Sequence, residues 1–137
     1  MSVFEATRYE VDLTDVEWRV LRQHFQWGGP ARCTDAIAPV IGYSHAAALY
    51  GDMRRLLDLV DGRQPMSCQD WHRLLVSAEI LFGSDVIGCG VEWSIVSGMG
   101  DAETVVVLRG LQRKLLALAR GMPELANGVR RVDDEGT

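Results

Sequence analysis

Between Ser67 and Arg120 two strongly apolar runs at helical spacing are joined by the glycine-rich stretch from residue 83 to residue 100. In the first run Trp71, Leu74, Leu75, Ala78, Leu81 and Phe82 recur in steps of three and four, and Val76 and Ile80 widen the apolar surface. A helix so apolar needs neighbours on more than one side. Ser67 suits its N-cap, with Asp70 at the capping-box distance. In the second run Asp101 is the expected cap, and Val105, Leu108, Leu111, Leu115 and Leu118 are the expected core face. Asp101 and Glu103 at its start, and Arg113, Lys114 and Arg120 towards its end, suit the helix dipole. A helical hairpin at the centre of a helical domain is the architecture this pattern allows.

The rest of the chain adds helices around that hairpin. Thr14 and Glu17 form a capping box ahead of Val16, Trp18, Val20, Leu21 and Phe25, and Gly28-Gly29-Pro30 stops the helix after Trp27. A short helix from Thr34 or Asp35 is broken near Pro39. Ser44 is the expected cap of a helix running to Val60, with Ala46, Leu49, Met53, Leu56, Leu57 and Val60 inward and Asp52, Arg54, Arg55 and Asp58 mostly outward. Residues 7–13 alternate, with Tyr9, Val11 and Leu13 on one side, the period of a half-buried strand. Such a strand must pair with another short strand or a second subunit, or else be merely extended. The expected fold is all-α: a single-domain bundle of four main helices over residues 1–126, plus a short helix and a short N-terminal strand. Residues 127–137 read as a mobile tail.

Charge and cysteine usage narrow the partners. A net charge of −5 argues against nucleic acid, because phosphate contacts need clustered Lys and Arg. Of the 14 basic residues all but Lys114 are arginine, a bias that suggests a GC-rich, bacterial source. The start lacks an apolar signal core, and no run approaches the roughly 18 apolar residues of a membrane span. Three widely spaced cysteines, Cys33, Cys68 and Cys89, suit a reducing cytoplasm better than a disulfide framework.

No motif names a reaction. Gly83, Gly88 and Gly90 fit neither a P-loop, whose Lys and Ser/Thr are missing, nor the dinucleotide fingerprint. Their simplest role is left-handed backbone and close helix approach. Cys68 and His72 share one helix face at metal-ligand spacing, but two further ligands are wanting, so no metal site is expected. Glu79, set among apolar residues, is the weak candidate for a catalytic acid; an ion pair with Arg109 or Arg113 of an antiparallel last helix is its structural alternative. Asp85, Glu92, Trp93 and Ser94 lie in the connection, where loops commonly carry recognition. Val86, Ile87, Val91 and Ile95 are expected to turn part of it inward. Trp27 and Trp93, at a helix end and in a loop, are the expected exposed aromatic anchors.

The function expected is that of a small acidic cytosolic protein working through protein–protein contact: an inhibitor, an immunity or antitoxin-like factor, or an accessory subunit. Its expected contact residues are Asp85, Glu92, Trp93 and Trp27, with no cofactor, nucleic acid or membrane involved. The alternatives are a ligand-binding protein or enzyme with a pocket around Glu79 and the 83–100 loop, and a self-associating structural module.

Overall fold

A computed structural model describes residues 7–27 and 33–133. Along the chain run β1 (Thr7–Val11), α1 (Asp15–Arg22), α2 (Ala38–Ile41), α3 (Ala46–Asp61), α4 (Cys68–Gly83), α5 (Trp93–Ser97), α6 (Asp101–Ala119) and β2 (Val129–Asp133). The fold is dominated by helices, as the apolar periodicity predicts. α4 and α6 form the central pair. His72 meets Ala119 and Glu79 meets Gln112, so the two helices run antiparallel.

One core joins α1, α4 and α6 through Leu21, Trp71, Leu74, Leu81, Leu111 and Leu115, all shielded from solvent. Burying each such side chain stabilises the fold by about 1.5–3 kcal/mol. A second cluster, with Ala38, Ile41, Tyr43, Leu49 and Leu56, packs α2 and α3 against Val76 and Ile80 on the other side of α4. α4 is therefore sandwiched, which is why its sequence is apolar nearly all round.

Several boundaries differ from the sequence reading, each for a local reason. The Thr14–Glu17 capping box forms, but α1 ends at Arg22 and continues as a 3-10 turn over Gln23–Trp27. The expected stop at Gly28-Gly29-Pro30 lies outside the described residues. At the start of α3, Ser44 turns to the His45 ring, and Asp35 caps instead, accepting a bond from the amide of Ala46 at 2.9 Å. Gly100, not Asp101, is the N-cap of α6. Val105 is exposed and Thr104 takes its place inside, four residues before Leu108 and bonded to the Trp93 indole.

The expected mobile tail is corrected over residues 129–133; residues 134–137 lie outside the described residues. Residues 129–133 form β2, antiparallel to β1, with Tyr9 opposite Arg131 and Val11 opposite Val129. Arg130 pairs with Glu10 directly across the strands. On its other edge β1 bonds Met66 through both Tyr9 backbone groups, and the Trp71 indole donates to the Tyr9 carbonyl at 3.0 Å. The strand is thus tied into the helical core on one side and closed by the far end of the chain on the other. Of the three sequence-level options for residues 7–13, pairing with a second short strand is the one realised.

Candidate functional site

The connection between α4 and α6 is a built structure with its own hydrogen bonds. Ser84 accepts from the amide of Ile87 and, through its carbonyl, from that of Gly88, while the amide of Cys89 donates to Leu81 at 2.7 Å. Gly88 lies so close to α4 that an added Cβ would sit 2.1 Å from the Ile80 carbonyl oxygen. Gly90 takes a φ of 46° and leaves no room for a side chain beside Asp85. Close approach and left-handed backbone are what these two glycines supply, as expected from their failure to fit a phosphate-binding pattern.

Past Gly90 a 3-10 turn, Gly90–Glu92, runs into α5. Here Trp93 and the aliphatics Val86, Val91 and Ile95 face opposite to the sequence expectation, while Ile87 is half-buried. Trp93 is wholly buried: its ring meets Phe82 edge-on at 5.6 Å, and its indole N–H donates to Thr104 Oγ1 at 2.7 Å. It is a core residue and not an exposed anchor. Val86, Val91 and Ile95 are instead 78%, 77% and 82% exposed. The reason is helical phase. Val91 and Ile95 are four apart and share a face, and anchoring Trp93 inward turns that face to solvent. Ser97 locks the turn that follows, donating to the Trp93 carbonyl at 2.6 Å and accepting from the Met99 amide.

Asp85 and Glu92 are both exposed on this connector. Asp85 also has a structural part, accepting a bond from the Val91 amide at 3.1 Å. Ser94 is exposed as well. The side chain of Trp27 lies outside the described residues. From Asp85 to Glu103 the chain carries Asp85, Glu92, Asp101 and Glu103, all exposed, and no lysine or arginine.

The other candidates fall to structural roles. Glu79 is half-buried and accepts a bond from Gln112 Nε2 at 2.6 Å, while Gln112 Oε1 accepts from Arg109 at 2.6 Å. The arginine acts through an amide relay, in place of the direct ion pair expected. The ring nitrogens of His72 lie 3.1 Å from the Ala119 carbonyl and 3.0 Å from the Val40 carbonyl, so His72 bridges the ends of α6 and α2. Burial, and then the charge of Glu124, raises the Cys68 thiol and disfavours the thiolate a metal needs. Among the described residues no three His, Cys, Asp or Glu side chains gather at a metal-binding distance.

Sequence reasoning missed the main polar cluster, which ties α2 and α3 to α4. The Arg55 guanidinium donates to Asp70 at 2.8 and 2.9 Å and to Asp52 at 2.7 Å on each oxygen. Arg73 donates to Asp70 and to the Gly42 carbonyl, both at 2.9 Å, and lies over the Tyr43 ring at 4.0 Å. Tyr43 donates to Asp52 at 2.6 Å. Burial raises the Asp52 carboxyl, but the bonds from Arg55 and Tyr43 outweigh it and hold the group below its ordinary value. Two arginines meet two aspartates and every charge has an opposite neighbour, so the cluster is a clamp and not a reactive centre. Only the spacing of Asp52 and Arg55 on one helix face hinted at it.

No known protein family, curated protein or solved structure matches the chain, and its site is read from its own chemistry.

Proposed function

We propose that the protein acts by binding another protein through the α4–α6 connector. The observation that carries this reading is the exposure of Val86, Val91 and Ile95 on a hydrogen-bonded segment bordered by Asp85 and Glu92. Aliphatic side chains held out on a preorganised backbone lose little entropy on docking. The surrounding carboxylates favour a partner with an apolar centre and a basic rim, and they speed encounter with it. They also oppose self-association through the same face, because four acidic groups would meet four more. A cytosolic inhibitor, an immunity or antitoxin-like factor, or an accessory subunit fits such a surface.

The deciding experiment compares the wild type with a Val91→Asp/Ile95→Asp variant in parallel capture from cells of the source organism. The variant should fold with a stability within about 0.5 kcal/mol of the wild type, since both sites face solvent. A partner recovered by the wild type at low salt, weakened by added salt and absent from the variant supports the reading. Equal recovery by both proteins rejects it. A wild type that sediments as a dimer, and a variant that sediments as a monomer, would favour the self-associating module instead.

A further inference from the structure

Beside the end of α5 a cleft of about 460 Å³ opens between α1 and the turn after α3. That volume lies within the range of roughly 300–1,000 Å³ typical of small-ligand sites. In a chain of net charge −5 its walls carry three guanidinium groups, Arg19, Arg22 and Arg63, against two carboxylates, Asp15 and Asp61. Positive charge is thus in excess here on an otherwise acidic protein.

The three arginines are not held alike. Arg22 is forked onto Asp61 at 2.6 and 3.4 Å. Arg63 donates to Asp15 at 2.8 Å, but that carboxylate is 91% exposed, so water competes for the bond and it contributes little. Arg19 donates to the Ser97 carbonyl at 2.9 Å and has no carboxylate partner among the described residues. A guanidinium has five N–H donors, so Arg19 and Arg63 keep most of theirs for a guest.

One further observation points to a ligand. Arg63 is the one non-glycine with positive φ among the described residues, at 49°. Strained backbone of this kind persists where the surroundings hold it and gathers at binding sites. Here it brings the guanidinium to the cleft, 5.9 Å from the centre of the Trp18 ring.

We propose that this cleft binds a small organic anion, its phosphate or carboxylate held by Arg19 and Arg63 and its other polar groups met by Gln26. The site uses none of the connector residues Val86, Val91 or Ile95, so the two readings stand or fall separately. Planar guanidinium forks suit both oxyanions. Titration of isotope-labelled protein with inorganic phosphate, phenyl phosphate and benzoate, followed by amide, indole and guanidinium resonances, tests it. Saturable shifts confined to the cleft are expected, with Arg63→Gly and Arg19→Gln each weakening binding about tenfold and the distant Arg113→Gln without effect. Tighter binding of phenyl phosphate assigns the site to phosphate esters, and tighter binding of benzoate to carboxylates. Arg63→Gly relieves the left-handed strain, so its melting temperature should not fall, and weaker binding by that variant cannot be put down to unfolding. Shifts that never saturate, shifts spread over the surface, or an Arg63→Gly variant that binds like the wild type would overturn the proposal.

Discussion

Lys114 Nζ lies 2.6 Å from Glu17 Oε1, joining the only lysine of the chain to a carboxylate buried at the start of α1. The same Glu17 oxygen accepts the Thr14 amide at 2.8 Å, so one group serves both the capping box and the contact between α1 and α6. Gly110 gives Glu17 room, since an added Cβ there would stand 3.0 Å from Glu17 Oε2. Replacing Lys114 with Met would leave Glu17 buried without its cation. Complete loss of a partner in a fully buried pair costs about 3–5 kcal/mol, and the partial exposure of Lys114 reduces this to about 2. Denaturant unfolding measures it. Adding Glu17→Gln to Lys114→Met should recover part of the loss, and an unchanged midpoint in the single variant would contradict the account.

Thr104 and Trp93 share a hydrogen bond with no access to water. Thr104→Val keeps the shape and removes the acceptor, leaving the indole N–H unpaired at a cost of about 1–3 kcal/mol. The Trp93 emission should shift in step with the lost stability. A variant as stable as the wild type would mean that Trp93 finds another acceptor.

Gly88→Ala forces a methyl group against the backbone of Ile80 and Leu81. Main chain cannot yield as a flexible side chain can, so a loss of about 2–3 kcal/mol is expected. Gly83 has open space at the same test, and Gly83→Ala should cost nothing or stabilise. The contrast between the two melting temperatures is the measurement.

His24 predicts a pH dependence. Burial lowers its pKa to about 4 from the ordinary 6.5, and its Nδ1 is buried with no hydrogen-bond partner among the described residues. On acidification the unfolded chain therefore takes up this proton first. The neutral ring contributes its full stability above pH 6.5; that stability falls progressively below it and is gone by about pH 4, a loss of about 3 kcal/mol. Carboxylates titrate across the lower part of the same window, so the informative quantity is the difference between the wild type and His24→Phe. The variant should lose the slope between pH 6.5 and 5; parallel curves would count against a buried neutral imidazole.

The α4–α6 hairpin, the Thr14–Glu17 box and the glycine roles were legible because each depends on residues a few positions apart. Trp93 was misplaced because a five-residue helix offers too little periodicity to show which way it faces. β2 was missed because Val129–Asp133 reads as a charged terminal stretch until β1 lies beside it. The Arg55–Asp70 and Arg19–Ser97 contacts link different elements, and nothing local announces them.

Periodicity and capping thus determined by themselves that the chain folds as helices around α4 and α6, since both are short-range consequences of side-chain chemistry. Only the tertiary structure decided which connector side chains face water, where the arginines gather and how β1 and β2 pair. Those outcomes depend on contacts between separate elements, from Trp93 with Thr104 to Glu10 with Arg130, whose closure no local pattern encodes.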